Sequence, residues 1–313
     1  MRWPLIRYLP SHTKIDFVRL APFAAALSAL CILASCASFF THGLNLGIDF
    51  SGGTEIEVHT TGPAPLGGLR AALGQMGEKD AQAVLFGAPN AAMVRFKPPE
   101  GQSADAAVAL VKTNFAKQFP GIQFKQASAI SAKVSGEQFR SGFSALGIAI
   151  LLMLIYIWFR FQLQFGLGAV IALFHDIILT LGVLSVMQIE FSTSSIAALL
   201  TVIGYSMNEK VITFDRLREN LRKYKRTPLR EVINLSENER LSRTMITGAS
   251  ALLALSGTLF MGGQALFPLV FTMFFGILIG TYSSVYVALP VILLWGANRG
   301  DEVEIITPQG ARP

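Results

Sequence analysis

Six apolar runs, each near the length that crosses a lipid bilayer, constrain this chain more than any other feature. They fall at 20–40, 142–159, 164–187, 193–214, 243–262 and 266–295. About 20 apolar residues, rising about 1.5 Å each, cross the hydrocarbon layer. In lipid every backbone N–H and C=O must be satisfied within the segment, so such runs are helices. The last run is long enough to tilt or to include a short flank. Charged residues are only 15% of the 313, against about 25% in soluble domains, and the deficit is concentrated in these runs. The sequence predicts a multi-pass α-helical membrane protein with six transmembrane helices.

Charge in the connections gives an orientation. The segment 215–242 carries Arg216, Arg218, Arg222, Lys223, Lys225, Arg226, Arg230 and Arg240, whereas the hairpins after the third and fifth runs carry no Lys or Arg. Arg160 and the tail 1–19, with Arg2, Arg7, Lys14 and Arg19, fall on the same side as that basic loop. By the positive-inside rule the tails 1–19 and 296–313 and the loop 215–242 are cytoplasmic, and 41–140 lies outside. The basic residues in 41–140 do not disturb this, because long domains translocate largely regardless of charge. The net charge of +6 is thereby read as bilayer orientation. No basic-aromatic recognition motif suggests nucleic acid as a partner.

The two cysteines, Cys31 and Cys36, both lie in the first run. Five residues apart, they do not share a helix face, so neither a disulfide framework nor a metal site is expected. Leu33-Ala34-Ser35-Cys36 loosely resembles a lipoprotein cleavage box, but the apolar run continues to Phe40, which favours an uncleaved anchor.

Residues 41–140 read as a small α+β domain. "GTEIEVHT" alternates like a half-buried strand, and "PLGGLRAALGQM" has helical spacing at Leu66, Leu69, Leu73 and Met76. "AQAVLFG" and "AAMVRFK" read as strands around a turn at "APN". Ser103 is placed to cap a second helix with Asp105 in its first turn, and "GIQFKQASAI" is a last strand. The order β-α-β-β-α-β is the ferredoxin-like pattern. His59 has no metal-ligating neighbours and reads as a solvated strand residue. In "GIDFSGGT", Gly52 and Gly53 permit a turn and Asp49 reads as a turn residue. The phosphate-loop lysine and the strand-then-helix context are missing, which argues against nucleotide binding.

Ionisable residues inside the apolar runs carry the functional signal. A charge at a helix centre costs roughly 2.5–3.5 kcal/mol on insertion, so it usually faces the bundle interior and marks an ion or proton path. The fourth run contains Asn208, Glu209 and Lys210 in succession. Tyr205 and Glu209, like Gly204 and Asn208, are four apart and form a polar stripe. Arg243 opens the fifth run in the same inner half of the membrane and is placed to pair with Glu209. The alternative is that Glu209, Lys210 and Arg243 snorkel to the cytoplasmic interface. His175 and Asp176 lie about a dozen residues into the third run, near mid-bilayer by the helical rise. They read either as a proton or ion relay or as an interhelical lock. Gly276, Gly280, Ser283 and Ser284 in the sixth run have helix-packing spacing, and Gly280 would admit a neighbouring helix that carries the charges. No nucleophile-base or metal constellation suggests an enzyme, a metal or another cofactor.

The segments "GIDFSGGT", "HDIILTLGVLS", "GYSMNEKVITFDRLREN", "LSRTMIT" and "IGTYSSVYVA", in this order and topology, resemble the SecD/SecF family of protein-export membrane subunits, within the proton-driven RND transporter superfamily. The resemblance covers nearly the whole chain and places it on the SecF side. It implies a bacterial inner-membrane protein that pairs with SecD, associates with the SecYEG channel and with YajC and YidC, and acts on exported preproteins. It further implies use of the proton-motive force in late translocation and release, with protons as the coupling ion. The family's intramembrane Asp falls at Glu209 and its fifth-span Arg at Arg243. Lys210 stands where many relatives have Thr, and either pairs with Glu209 or snorkels. A proton-coupled small-molecule exporter and a non-conducting assembly subunit are the competing readings.

Overall fold

The computed structural model describes residues 13–77, 81–98, 103–263 and 265–296. In chain order these form α1 (Phe17–Thr41), β1 (Asn45–Leu46), α2 (Ile48–Ser51), β2 (Gly53–His59), α3 (Leu66–Gln75), β3 (Gln82–Phe86), β4 (Ala88–Phe96), α4 (Ala104–Gln118) and β5 (Gln123–Ile130). There follow α5 (Ala132–Arg160), α6 (Leu163–Val186), β6 (Glu190–Phe191), α7 (Thr193–Lys223), α8 (Leu229–Met261), α9 (Phe267–Tyr286) and α10 (Ala288–Trp295). The stretches 1–12 and 297–313, assigned from sequence to cytoplasmic tails, lie outside the described residues.

Among the described residues, five helical segments are long and apolar enough to cross a membrane. They are Phe17–Thr41, Lys133–Arg160, Leu163–Val186, Leu229–Met261 and Phe267–Trp295, the last combining α9 and α10. The remaining expected span, the fourth in chain order, lies in α7, which falls short on apolarity because Asn208, Glu209, Lys210 and a charged C-terminal half belong to it. It is nonetheless central, packed against α9, α8, α6 and α5. Close approach of α7 to α9 depends on two glycines. A Cβ on Gly280 would stand 2.9 Å from Ser206 Cβ, and one on Gly276 would stand 2.3 Å from a Val202 methyl.

The segment 215–242, read from its charge as a loop, is mostly helix. α7 runs on to Lys223 and α8 begins at Leu229. Nothing between Asp215 and Lys223 breaks a helix, and side-chain pairs hold the two extensions together. Arg216 bonds Glu239 and Glu219, and Asn220 donates to Ser236 Oγ at 3.0 Å. Pro228 then marks the start of α8, where its fixed φ suits a helix entry. On the same side Asp16 caps α1 through the Arg19 N–H at 3.0 Å and accepts from Asn234 Nδ2 of α8 at 2.8 Å. Arg160, at the end of α5, holds Asp215 of α7 with both carboxylate oxygens at 2.7 and 2.8 Å.

The domain between α1 and α5 is a four-stranded antiparallel sheet in the order β3-β4-β2-β5. Alternation decides which face is covered. Ile56, Val58, Ala92, Val94 and Phe96 point to one side, where Leu69 and Leu73 of α3 and Val111 and Phe115 of α4 complete the core. Ser103 caps α4 through the Ala106 N–H. The turn expected at Ala88-Pro89-Asn90 is instead at Gly87, which has φ +79°, so β4 starts at Ala88 and is longer than the sequence suggested. His59 ends β2 with its Nε2 2.6 Å from Glu57 Oε1.

Three features tie this domain to the helices. One residue, Ser131, separates β5 from α5 and caps it through the Val134 N–H. β1 pairs in parallel with β6, so the strand before "GIDFSGGT" joins the α6–α7 hairpin. Phe50 of α2 packs on Phe139, Phe143 and Phe191, while Asp49 accepts from the Thr193 N–H at 3.0 Å and so caps α7 rather than only shaping a turn. The uncovered sheet face and this hairpin line an open cleft of about 600 Å³. At its wall Arg95 of β4 bonds Glu55 of β2 and reaches across to Glu190 of β6.

Burial pushes the Glu55 carboxyl above the ordinary glutamate range, and the Arg95 guanidinium only partly offsets this. A raised folded value favours folding below the ordinary glutamate pKa of about 4.3, and that contribution is lost as pH rises through the raised value. The Glu55→Gln variant is therefore expected to lose part of the decline in melting temperature as pH rises from that range toward neutral. Thermal unfolding of the detergent-solubilised chain against pH measures it, and an unchanged slope would contradict the assignment.

Candidate functional site

α7 carries Glu209 and Lys210 side by side, and successive residues on an α-helix point about 100° apart. The two side chains therefore face different neighbours and build two connected ionic layers. Both are sealed, with Glu209 1% and Lys210 0% exposed.

The first layer joins α7 to α6, α9 and α1. Lys210 Nζ donates to Asp176 Oδ2 at 2.8 Å and to Ser283 Oγ at 3.1 Å. Ser283 Oγ donates to the same Asp176 oxygen at 2.8 Å, and Ser206 Oγ bonds both Asp176 and Lys210. His175 Nδ1 is 3.0 Å from Asp176 Oδ1 and its Nε2 3.1 Å from Ser28 Oγ of α1. Its ring stacks on Tyr282, whose hydroxyl donates to the Ala24 carbonyl at 2.8 Å.

The second layer joins α7 to α8 and α9. Glu209 Oε2 accepts from Thr244 Oγ1 at 3.2 Å and lies 3.6 Å from Arg240 Nη1. Arg240 Nε donates to Glu237 at 2.8 and 2.9 Å, its Nη1 to Thr244 Oγ1 at 2.8 Å, and its Nη2 to Ser284 Oγ at 3.1 Å. Glu209 Oε1 is buried and has no hydrogen-bond partner among the described residues.

The structure brings Glu209, Lys210, His175, Asp176, Ser283 and Ser284 together and rearranges the expected pairs. Lys210 neither pairs with Glu209 nor snorkels; its partner is Asp176. Arg243 is exposed, and Arg240 takes the position beside Glu209 expected for it. The inward stripe of α8 is Glu237, Arg240, Thr244 and Gly248, three and four residues apart, and Arg243 lies off it. Asn208 and Gly204 are exposed on the outside of the bundle, so they do not continue the stripe of Tyr205 and Glu209. The Tyr205 hydroxyl lies 3.5 Å from where a Gly248 Cβ would stand, with Thr281 Oγ1 3.7 Å from the same point. Glu237 and Arg240 were missed because the run 215–242 was read as a loop. Their spacing with Thr244 and Gly248 was the available signal.

Breaking a buried ion pair by removing one partner costs about 3–5 kcal/mol, because the other charge is left uncompensated. Lys210→Met is expected to destabilise the bundle by about that much, and adding Asp176→Asn to recover most of it. Unfolding of the single and double variants in detergent tests this. A single variant as stable as the parent chain would contradict the pairing.

A family described as "Protein export membrane protein SecD/SecF, C-terminal" matches residues 110–298, and the SecD/SecF GG motif matches 37–64. The latter contains "GIDFSGGT". A relative from Cereibacter sphaeroides, named protein translocase subunit SecF, is 43% identical over 303 residues, covering 94% of each chain. One of the same name from Rickettsia felis is 36% identical, covering 96% of this chain and 98% of its own. The crystal structure of SecDF, a translocon-associated membrane protein from Thermus thermophilus, superposes with a TM-score of 0.83 at 30% identity. It covers 94% of this chain, which spans 40% of that longer one. By the matched family, the relatives and the shared fold, this chain belongs to the SecD/SecF family of protein-export membrane proteins.

Proposed function

We propose that this chain is the SecF-type subunit of a Sec protein-export complex, paired with SecD, and that it uses the proton-motive force in the late movement and release of exported preproteins. The sealed ionic cluster on α7 carries this reading. Charges are costly inside an apolar bundle and are kept there for ion or proton paths, and here they sit in a chain whose relatives are translocase subunits. In this reading α7 is the fourth of six spans, both termini are cytoplasmic and the outer domain is periplasmic. Its β-α-β-β-α-β order, with strands β3-β4-β2-β5, supports the ferredoxin-like assignment. The bacterial inner membrane, SecYEG, and the accessory partners YajC and YidC belong to the same proposal. The translocon-associated description of the Thermus thermophilus structure supports the channel contact.

Glu209 is the proton carrier in this scheme, with Arg240 as the cation beside it and Asp176, His175 and Lys210 as the adjoining layer. When Glu209 takes up or gives up a proton, its attraction to Arg240 changes, and α7 and α8 rebalance. A proton crossing about 150–200 mV releases about 3.5–4.6 kcal/mol, at ~2.3 kcal/mol per 100 mV, enough to turn a minor conformation into a major one. The motion has a physical route to the outer domain. α5 runs unbroken from the cap at Ser131 to Arg160, which holds Asp215 of α7.

Reconstitution with SecD and the channel tests the scheme. Glu209→Gln is expected to co-purify with SecD and to lose stimulation of preprotein export by a proton gradient. Stimulation equal to that of the parent chain would contradict it.

A further inference from the structure

Among the described residues, the fully buried ionisable side chains inside the bundle are Asp176, Glu209, Glu237, Lys210, Arg240 and His175. Three are carboxyls, and Lys210 and Arg240 are the two cationic side chains. Counted without the His175 imidazole, three ionised carboxylates face two cations and leave one uncompensated negative charge. A sealed, unbalanced charge is costly enough that such groups neutralise instead. The cluster is therefore built to hold one proton more than its ion pairs account for.

The geometry sets the three carboxyls apart. Asp176 is saturated by Lys210, Ser206, Ser283 and His175. Glu237 receives both Nε and Nη2 of Arg240, the latter at 2.7 Å. Glu209 is the exception: Arg240 stands off at 3.6 Å and Oε1 is unpartnered. Ionised carboxylates attract short, charge-assisted hydrogen bonds, and Glu209 has none from a cation. Arg240 is committed to Glu237, and Glu209 is the carboxyl of this pair left without a close cation.

We infer that Glu209 and Glu237 share one proton, and that the Arg240 guanidinium moves between them to bind whichever carboxylate is ionised. This rests on the reading of Glu209 as the proton carrier and adds its second member. When the proton passes to Glu237, Arg240 pairs with Glu209, and the contact between α7 and α8 changes. Charge is conserved: one proton leaves one carboxyl and arrives at the other. The groups around the pair are Thr244 from α8, Ser284 and Tyr286 from α9, and Tyr205 and Lys210 from α7. Asp176 of α6 lies beyond Lys210, and His175 beyond Asp176.

Infrared spectroscopy of the full chain, reconstituted with SecD in lipid vesicles, reads the proton directly. The parent complex is expected to show a carboxylic-acid C=O band that shifts in heavy water. Either Glu209→Gln or Glu237→Gln leaves two carboxylates against two cations, so each single variant loses that band. Arg240→Gln leaves three carboxylates against one cation and roughly doubles it. Glu237→Gln also loses proton-stimulated export, and Glu237→Asp restores both band and stimulation. A band retained in Glu237→Gln, no band in the parent complex, or an unchanged amplitude in Arg240→Gln would each overturn the inference. If Glu237→Gln fails to fold, the Arg240→Gln and Glu237→Asp spectra decide it. If Glu209→Gln abolishes stimulated export but Glu237→Gln keeps both band and stimulation, Glu209 acts alone and only the sharing fails. If Glu209→Gln leaves export stimulated, the proton-coupling reading itself fails.

Discussion

Lys210 against Asp176, buried between three helices, is the contact on which the rest of the bundle depends. Both groups are fully buried, and neither is tolerable there alone, so α6, α7 and α9 must converge where the ammonium meets the carboxylate. Ser206 and Ser283 satisfy their remaining hydrogen-bonding capacity. Convergence at that distance leaves no room for side chains on α9 at 276 and 280, and both are glycine. The small-residue pattern of α9 and the charges of α7 are thus two consequences of one requirement.

From that contact the structure extends outward by stiff connections. Glu209, next in sequence to Lys210, faces α8 and meets Arg240, while Ser284, next to Ser283, receives the same guanidinium. The two ionic layers are covalent neighbours on both α7 and α9, so a change in one bears on the other. At one end of the bundle Arg160 fastens α5 to α7. At the opposite end Asp49 caps α7, and Arg95 bridges the outer sheet to Glu190 on the hairpin that leads into it. The outer domain is therefore attached to α7 through its start, and through α5 to its far end.

Most of this architecture can be read in the sequence, because apolar length and strand alternation are local signals. The outer domain's strand and helix order follows from period, and the apolar runs from composition. What sequence reading missed depends on direction around a helix. Glu209 and Lys210 look like one site when written in a row, yet 100° of rotation sends them to different partners. Arg243 lies nearest the apolar boundary, but Arg240, one turn earlier, points inward. The charged run 215–242 resembled a loop because charge was taken to mean solvent, whereas paired Arg216, Glu219, Glu239 and Asn220 sustain helices past the apolar runs. The turn near Gly87 was displaced because Pro89 and Asn90 look like turn residues, while the positive φ belongs to the glycine.

In the proposed function, protonation inside the bundle moves the outer domain. Spin labels at Lys125 on β5 and Met245 on α8, both exposed, report the distance between them by pulsed electron resonance in the complex reconstituted with SecD. The account predicts two distance populations whose ratio changes with pH in the parent chain and stays fixed when Glu209 is glutamine. A single distribution, identical at every pH in both proteins, would contradict it.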